Sequence, residues 1–153
     1  LLGLAARAGD AEMVDLLLAK GAKVDAPNVN GDTPILWAAL YGHAEVVKKL
    51  FAKGARLDRS GWSPLHYAAF GGHVEVVKLL LDLGADPNVR AANKATPLIM
   101  AVRNRQLEAA RFLLDRGANP NLANDRGTTP LGYALDQGYR EIGELLISRG
   151  VER

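Results

Sequence analysis

The sequence has no cysteine, and its 153 residues include only two methionines and two tryptophans. Without cysteine there is no disulfide framework, no thiolate metal site and no cysteine nucleophile. No apolar run approaches the ~18 residues that a membrane span needs. No basic-then-apolar leader opens the chain. Neither sign of charge dominates, since 19 Lys and Arg face 17 Asp and Glu for a net charge of +2. That surplus is too small to point to nucleic acid by itself. Hydrophobic residues at 48% and charged residues at 24% describe an ordinary folded chain rather than a disordered one.

Enzyme signatures are missing as well. There is no G-x-S-x-G, no Gly-Lys-Ser/Thr phosphate loop, no H-E-x-x-H and no dinucleotide G-x-G-x-x-G. The three histidines are His43, His66 and His73. His43 and His73 each follow a glycine at equivalent places, so they read as scaffold. Ser60 and Ser63 lie near His66, but Ser63 stands where a helix cap is expected, so no catalytic dyad is predicted. No metal set or cofactor is expected, and the chain reads as a non-enzyme. Arg103, Arg105 and Arg111 cluster in sequence, as do Arg56 and Arg59, and both groups read as solvated surface charge. No nucleic-acid partner and no membrane insertion are expected.

What is present is a period. Thr33-Pro34, Ser63-Pro64, Thr96-Pro97 and Thr129-Pro130 recur at spacings of 30, 33 and 33. Gly21-Ala22, Gly54-Ala55, Gly84-Ala85 and Gly117-Ala118 keep the same beat, with Gly150-Val151 as an imperfect fifth. So do Ala5-Ala6, Ala38-Ala39, Ala68-Ala69, Ala101-Val102 and Ala134-Leu135, and the glutamates Glu12, Glu45, Glu75, Glu108 and Glu141. In each unit Thr or Ser caps a short helix, and Pro takes its first position, where no N–H is needed. Paired small residues let another helix come close. Gly42, Gly72 and Gly138 can take a positive φ and end that helix. A second helix follows, about 74–83 in the third unit, with Val76, Leu80 and Leu81 on one stripe. One such unit cannot bury its stripe alone, whereas stacked units bury it against each other as a solenoid.

The segment GWSPLHYAAFGGHVEVVKLLLDLGADPN, residues 61–88, resembles an ankyrin repeat nearly position for position, and the resemblance extends over the whole chain. It implies an all-α, ankyrin-type solenoid of stacked helix-turn-helix repeats with β-hairpin fingers. The chain reads as a single domain, 1–153, with repeats at about 1–29, 30–58, 59–90, 91–123 and 124–153, the first truncated.

The copies differ. Only His66 keeps the histidine of the family motif, so the hydrogen-bond network it supports is expected to be thin. Lys94 and Arg105 stand where sibling repeats have glycine, and the sequence predicts that their turns re-form one residue earlier, at Asn93 and Asn104. The connection between the second and third repeats is three residues short. It predicts a stunted finger at 55–62, leaving a notch with Trp62 at its base.

The resemblance also implies a concave groove lined by first helices and fingers, which binds a partner protein. Its register places Asp32, Trp37, Leu40 and Tyr41 there, then Trp62, Tyr67, Phe70 and Gly71, then Ala95, Met100, Arg103 and Asn104, then Thr128, Tyr133, Asp136 and Gln137. The first repeat offers Leu4, Arg7 and Ala8. Six of the nine aromatic residues fall in these positions, as interface hot spots do. Trp37, Tyr41, Trp62, Tyr67 and Phe70 are expected to form the apolar centre. Arg103, Asn104, Asp125, Arg126, Asp136 and Gln137 form the polar rim. The implied function is a monomeric, non-catalytic interaction module, such as a bacterial regulator, immunity or effector protein. The alternative is a structural or targeting segment of a longer multidomain protein. The default compartment is the cytoplasm, with periplasm or secretion compatible.

Overall fold

The computed structural model describes residues 1–58 and 61–150. Among them lie ten helices in five pairs. The first helices of the pairs are α1 (Leu2–Ala8), α3 (Pro34–Leu40), α5 (Pro64–Gly71), α7 (Pro97–Arg103) and α9 (Pro130–Gln137). The second helices are α2 (Ala11–Ala19), α4 (Ala44–Ala52), α6 (Val74–Asp82), α8 (Leu107–Asp115) and α10 (Arg140–Ser148).

The caps form as the spacing predicts. Thr33, Ser63, Thr96 and Thr129 are extended N-caps, each followed by proline. Three of them accept a backbone hydrogen bond, from His66, Ile99 and Gly132 at 3.4, 3.2 and 3.1 Å. First helices pack on first helices and second on second, always between successive pairs. The seam is fully enclosed: Ala6, Ala38, Ala39, Ala68, Ala69 and Ala101 expose nothing, and neither do Leu50, Leu80 and Leu113. The architecture is therefore an all-helical ankyrin-type solenoid.

Two ladders tie pair to pair. His43, His73 and Gln106 sit at the N-cap of a second helix and make no side-chain cap there. Each reaches back instead to a carbonyl of the preceding first helix. His43 Nε2 donates to Arg7 O at 2.9 Å, His73 Nε2 to Leu40 O at 2.8 Å and Gln106 Nε2 to Phe70 O at 3.2 Å. The glycine behind each reach is needed for room. Gly42 has φ +78, and a Cβ there would stand 2.5 Å from His73 Nδ1. On the outer side, Asp15 pairs with Lys49 at 2.8 Å, Asp82 with Arg116 at 2.9 Å and Asp115 with Arg149 at 2.5 Å. These exposed ion pairs contribute only about 0–1 kcal/mol each.

The fourth pair corrects one expectation. Lys94 and Arg105 themselves take positive φ, 62° and 55°, so the turns do not re-form earlier. Register explains it: Arg105 N–H donates to Val102 O and Gln106 N–H to Ala101 O. These match the bonds from Gly72 to Ala69 and from His73 to Ala68. A shifted turn would lose both. Asn104 remains the right-handed C-cap of α7, and Asn93 Oδ1 accepts from Ala95 N–H at 3.0 Å. Arg105 escapes the crowding because the next pair carries Tyr139 in place of histidine, and its guanidinium stacks on that ring at 5.3 Å.

The fingers are also simpler than the resemblance implies. Among the described residues no strand forms. Each turn has one rung across it, Asn28 N–H to Asp32 O, Ala91 N–H to Ala95 O and Asn124 N–H to Thr128 O at 2.9, 2.9 and 3.0 Å, and one tight turn bond, from Gly31, Lys94 and Gly127 N–H back to Asn28, Ala91 and Asn124 O. Side-chain amides replace the missing ladder. Asn28 Oδ1 accepts from the Asn30 and Asp32 N–H groups, and Asn124 Oδ1 from those of Arg126 and Thr128. The stunted finger expected at 55–62 includes Arg59 and Ser60, which lie outside the described residues.

Replacing Gly42 by Ala combines left-handed strain with loss of the His73 reach. It is expected to lower the unfolding free energy by roughly 2–3 kcal/mol. Lys94→Gly removes strain at an exposed turn and is expected to raise it by roughly 0.5–1 kcal/mol. Urea unfolding of the two variants beside the parent chain measures both.

Candidate functional site

One face of the stack is made by the first helices, and three registers repeat along it. The first is Leu4, Trp37, Tyr67, Met100 and Tyr133, each just before the small pair. The second is Arg7, Leu40, Phe70, Arg103 and Asp136, each just after it. The third is Ala8, Tyr41, Gly71, Asn104 and Gln137.

The centre of the face lies over α3 and α5. Trp37 and Tyr41 stack with ring centroids 6.2 Å apart and planes 15° apart. Tyr41 is 43% exposed. From α1, the Arg7 guanidinium covers both rings, at 5.3 Å from Trp37 and 5.4 Å from Tyr41. Tyr67 Oη donates to Asp32 Oδ1 at 3.4 Å. Asp32, Leu36, Trp37, Leu40 and Tyr67 enclose a small hollow of about 40 Å³ between them. A larger cleft of about 310 Å³ opens on the other side of Trp37, floored by Leu4 and Arg7 and walled by Pro27, Asn28 and Asp32. Leu40, Tyr67 and Phe70 are half-buried, and Tyr67 and Phe70 rest on the core.

Other residues named from the sequence turn out to be scaffold in part. Met100 is 9% exposed and Ala95 only 2%, so neither side chain is offered to a partner. Met100 shares a register with Tyr67 and Tyr133 but has a shorter reach than either ring. Trp62 is half-buried and meets His66 edge-on, with centroids 5.5 Å apart at 85°. Asn104 Nδ2 donates to Phe70 O at 2.7 Å, which ties α7 to α5. Tyr133 Oη accepts from Asn124 Nδ2 at 3.2 Å. Arg103, Asp125, Arg126, Asp136 and Gln137 are exposed, and Gln137 Nε2 donates to Asp136 Oδ2 at 3.3 Å. The structure therefore gathers Trp37, Leu40 and Tyr67 around one hollow and stacks Tyr41 on Trp37, while Phe70 follows Leu40 in register on the next first helix. Sequence reading placed Arg7 on this face but gave it no role. Its signal was the register it shares with Leu40 and Phe70.

Ser63 and His66 do form a hydrogen bond, with Oγ 2.8 Å from Nδ1. Both are buried, at 1% and 0% exposure, so no substrate reaches them. Nε2 donates to Ala95 O at 2.8 Å, which leaves Nδ1 as the acceptor for Ser63 Oγ–H and N–H. This is a capping box that also bridges to the next pair, and it is the one rung of its kind that the sequence provides. Among the described residues no three His, Asp or Glu side chains converge as a metal would require. No described helix is long and apolar enough to cross a membrane.

Comparison with known proteins agrees with this geometry. The family model described as ankyrin repeats (3 copies) matches residues 2–91 and again 83–152. The chain belongs to the ankyrin repeat family, whose members are generally protein–protein interaction modules. No curated protein matches the sequence significantly.

His66 gives the fold a pH dependence. Burial holds its pKa below the ordinary 6.5, against the opposing pull of the Ala95 and Val89 carbonyls. The unfolded chain therefore takes up the proton first. Stability from this group is complete above about pH 6.5 and declines as pH falls toward the lowered folded value. Urea midpoints at pH 7.5, 6 and 5 are expected to drop more steeply for the parent chain than for His66→Asn.

Proposed function

We propose that this chain is a non-catalytic module that binds a partner protein on the face of its first helices, the concave side in the ankyrin arrangement. The observation that carries the reading is the Trp37–Tyr41 stack under Arg7, which shares a hollow with Leu40 and Tyr67 and is followed by half-buried Phe70 on the next first helix. Rings half out of a rigid core are large, apolar and already ordered. Little side-chain entropy is lost when a partner covers them, and the area they offer is what hot spots are made of. Arg103, Asn104, Asp136 and Gln137 supply the polar edge beside them, with Asp125 and Arg126 further out on a finger. Residues of this kind suit a regulator, an immunity protein or an effector that acts by occupying another protein's surface.

A second reading, a structural or targeting segment within a larger protein, is favoured by one observation. Met13 is 41% exposed, whereas Val46, Val76, Ala109 and Ile142 at the same register expose 2% or less. Leu4 and Leu16 are exposed on the same pair. Such positions are covered wherever another helix pair stacks in front. The full reading frame around this segment distinguishes the two readings.

Tyr41→Ala combined with Phe70→Ala is expected to weaken binding by at least ~2 kcal/mol. The ligand is a partner recovered from the native source, the measurement is titration calorimetry, and far-UV circular dichroism should stay unchanged. Equal affinity would reject the face as the interface.

A further inference from the structure

We propose that the occupant of this face is an amphipathic helix whose apolar centre is bracketed by two acidic residues, one meeting Arg7 and the other Arg103. The inference rests on the reading of the first-helix face as the interface. It adds the chemistry of what lies there.

The second register runs Arg7, Leu40, Phe70, Arg103 and Asp136, one residue from each successive pair. It reads cation, apolar, apolar, cation, anion. Arg7 and Arg103 are both exposed. Neither enters an ion pair among the described residues. Arg7 is also braced, because its guanidinium lies over Trp37 and Tyr41. A guanidinium already held in place loses less freedom when a carboxylate docks on its fork. Two unpaired arginines bracketing Leu40 and Phe70 complement acids that bracket an apolar cluster. Asp32 lines the same cleft as Arg7, and its Oδ1 is engaged by Tyr67 Oη. Asp136, one step beyond Arg103, disfavours a third acid and favours a basic residue there. The sequence of charges therefore also sets which way the occupant lies.

The backbone of the occupant has to satisfy its own polar groups. The face presents helix side chains, with no strand edge among the described residues, so an extended segment would find no ladder to join. A helix needs none. The Arg7 guanidinium lies over the α3 rings, so two steps between neighbouring helices, at about 8–10 Å each, separate its charge from the Arg103 helix by about 16–20 Å. At about 1.5 Å per residue, the two acids stand roughly 11–13 residues apart.

A phage-displayed library of unphosphorylated, helix-forming peptides tests this on the complete chain, with roughly 24 randomised residues to cover that span. The peptides enriched on the parent chain but not on Tyr41→Ala/Phe70→Ala are expected to carry Asp or Glu at both ends of an apolar stripe. Arg7→Glu should weaken them about tenfold and Arg103→Glu by less, since only Arg7 is braced. Replacing the matching peptide acid by Lys should restore binding to Arg7→Glu, while thermal melts show each variant folded. Peptides that depend on Tyr41 and Phe70 but carry no acidic flanks, or that ignore both arginine reversals, overturn this inference and leave the interface in place. Failure to enrich any peptide that depends on Tyr41 and Phe70 overturns both.

Discussion

Ala6, Ala38, Ala39, Ala68, Ala69 and Ala101 expose no surface at all, and the rest of the molecule depends on the closeness this permits. First helices lie close side by side because the paired residues at their contact are mostly alanines, with Val102 on α7 the larger exception. That closeness brings His43, His73 and Gln106 within reach of a carbonyl one pair back. It also sets Arg7 over rings that belong to α3. Dry packing between small side chains thus comes before both the hydrogen-bond ladder and the surface that the ladder holds in register.

The same constraint explains why the face made by the first helices is rigid. Side chains one position before or after an alanine pair sit at the edge of the dry seam, and Trp37, Leu40 and Phe70 are half-buried there, whereas Met100 beside Ala101-Val102 is buried. The polar groups nearby are mostly spent on the scaffold, as with Asn104 bonded to Phe70 O and Asn124 bonded within its own turn. What remains uncommitted is a short set of charges whose order along the stack is fixed by the order of the pairs.

Much of this was legible in the sequence, and for identifiable reasons. Thr-Pro caps, alanine pairs and turn glycines act through local geometry, so their spacing alone defined ten helices and their partners. Side-chain depth is not local. Met100 shares its register with Tyr67 and Tyr133, and only the shorter reach of a thioether leaves it inside. The stacking of Arg7 across to Trp37 and Tyr41 joins neighbouring units through rotamers that periodicity does not specify. At Lys94 and Arg105 the rule that non-glycine residues avoid positive φ pointed the wrong way. Two backbone bonds held by register outweighed the strain of each left-handed residue. The expected β-hairpin fingers reduced to single rungs because asparagine side chains took over bonds that a second strand would have made.

The fit between the residue ending one first helix and the residue opening the next second helix makes these units non-interchangeable. Gly42 accommodates His73 and Gly72 accommodates Gln106, while Arg105 is matched to Tyr139. Placing the unit that carries His43 directly after the one that carries Arg105 would drive an imidazole into a side chain. Duplication and shuffling in such an array therefore obey a grammar of junctions, in which the inherited unit is the boundary between two copies rather than either copy alone.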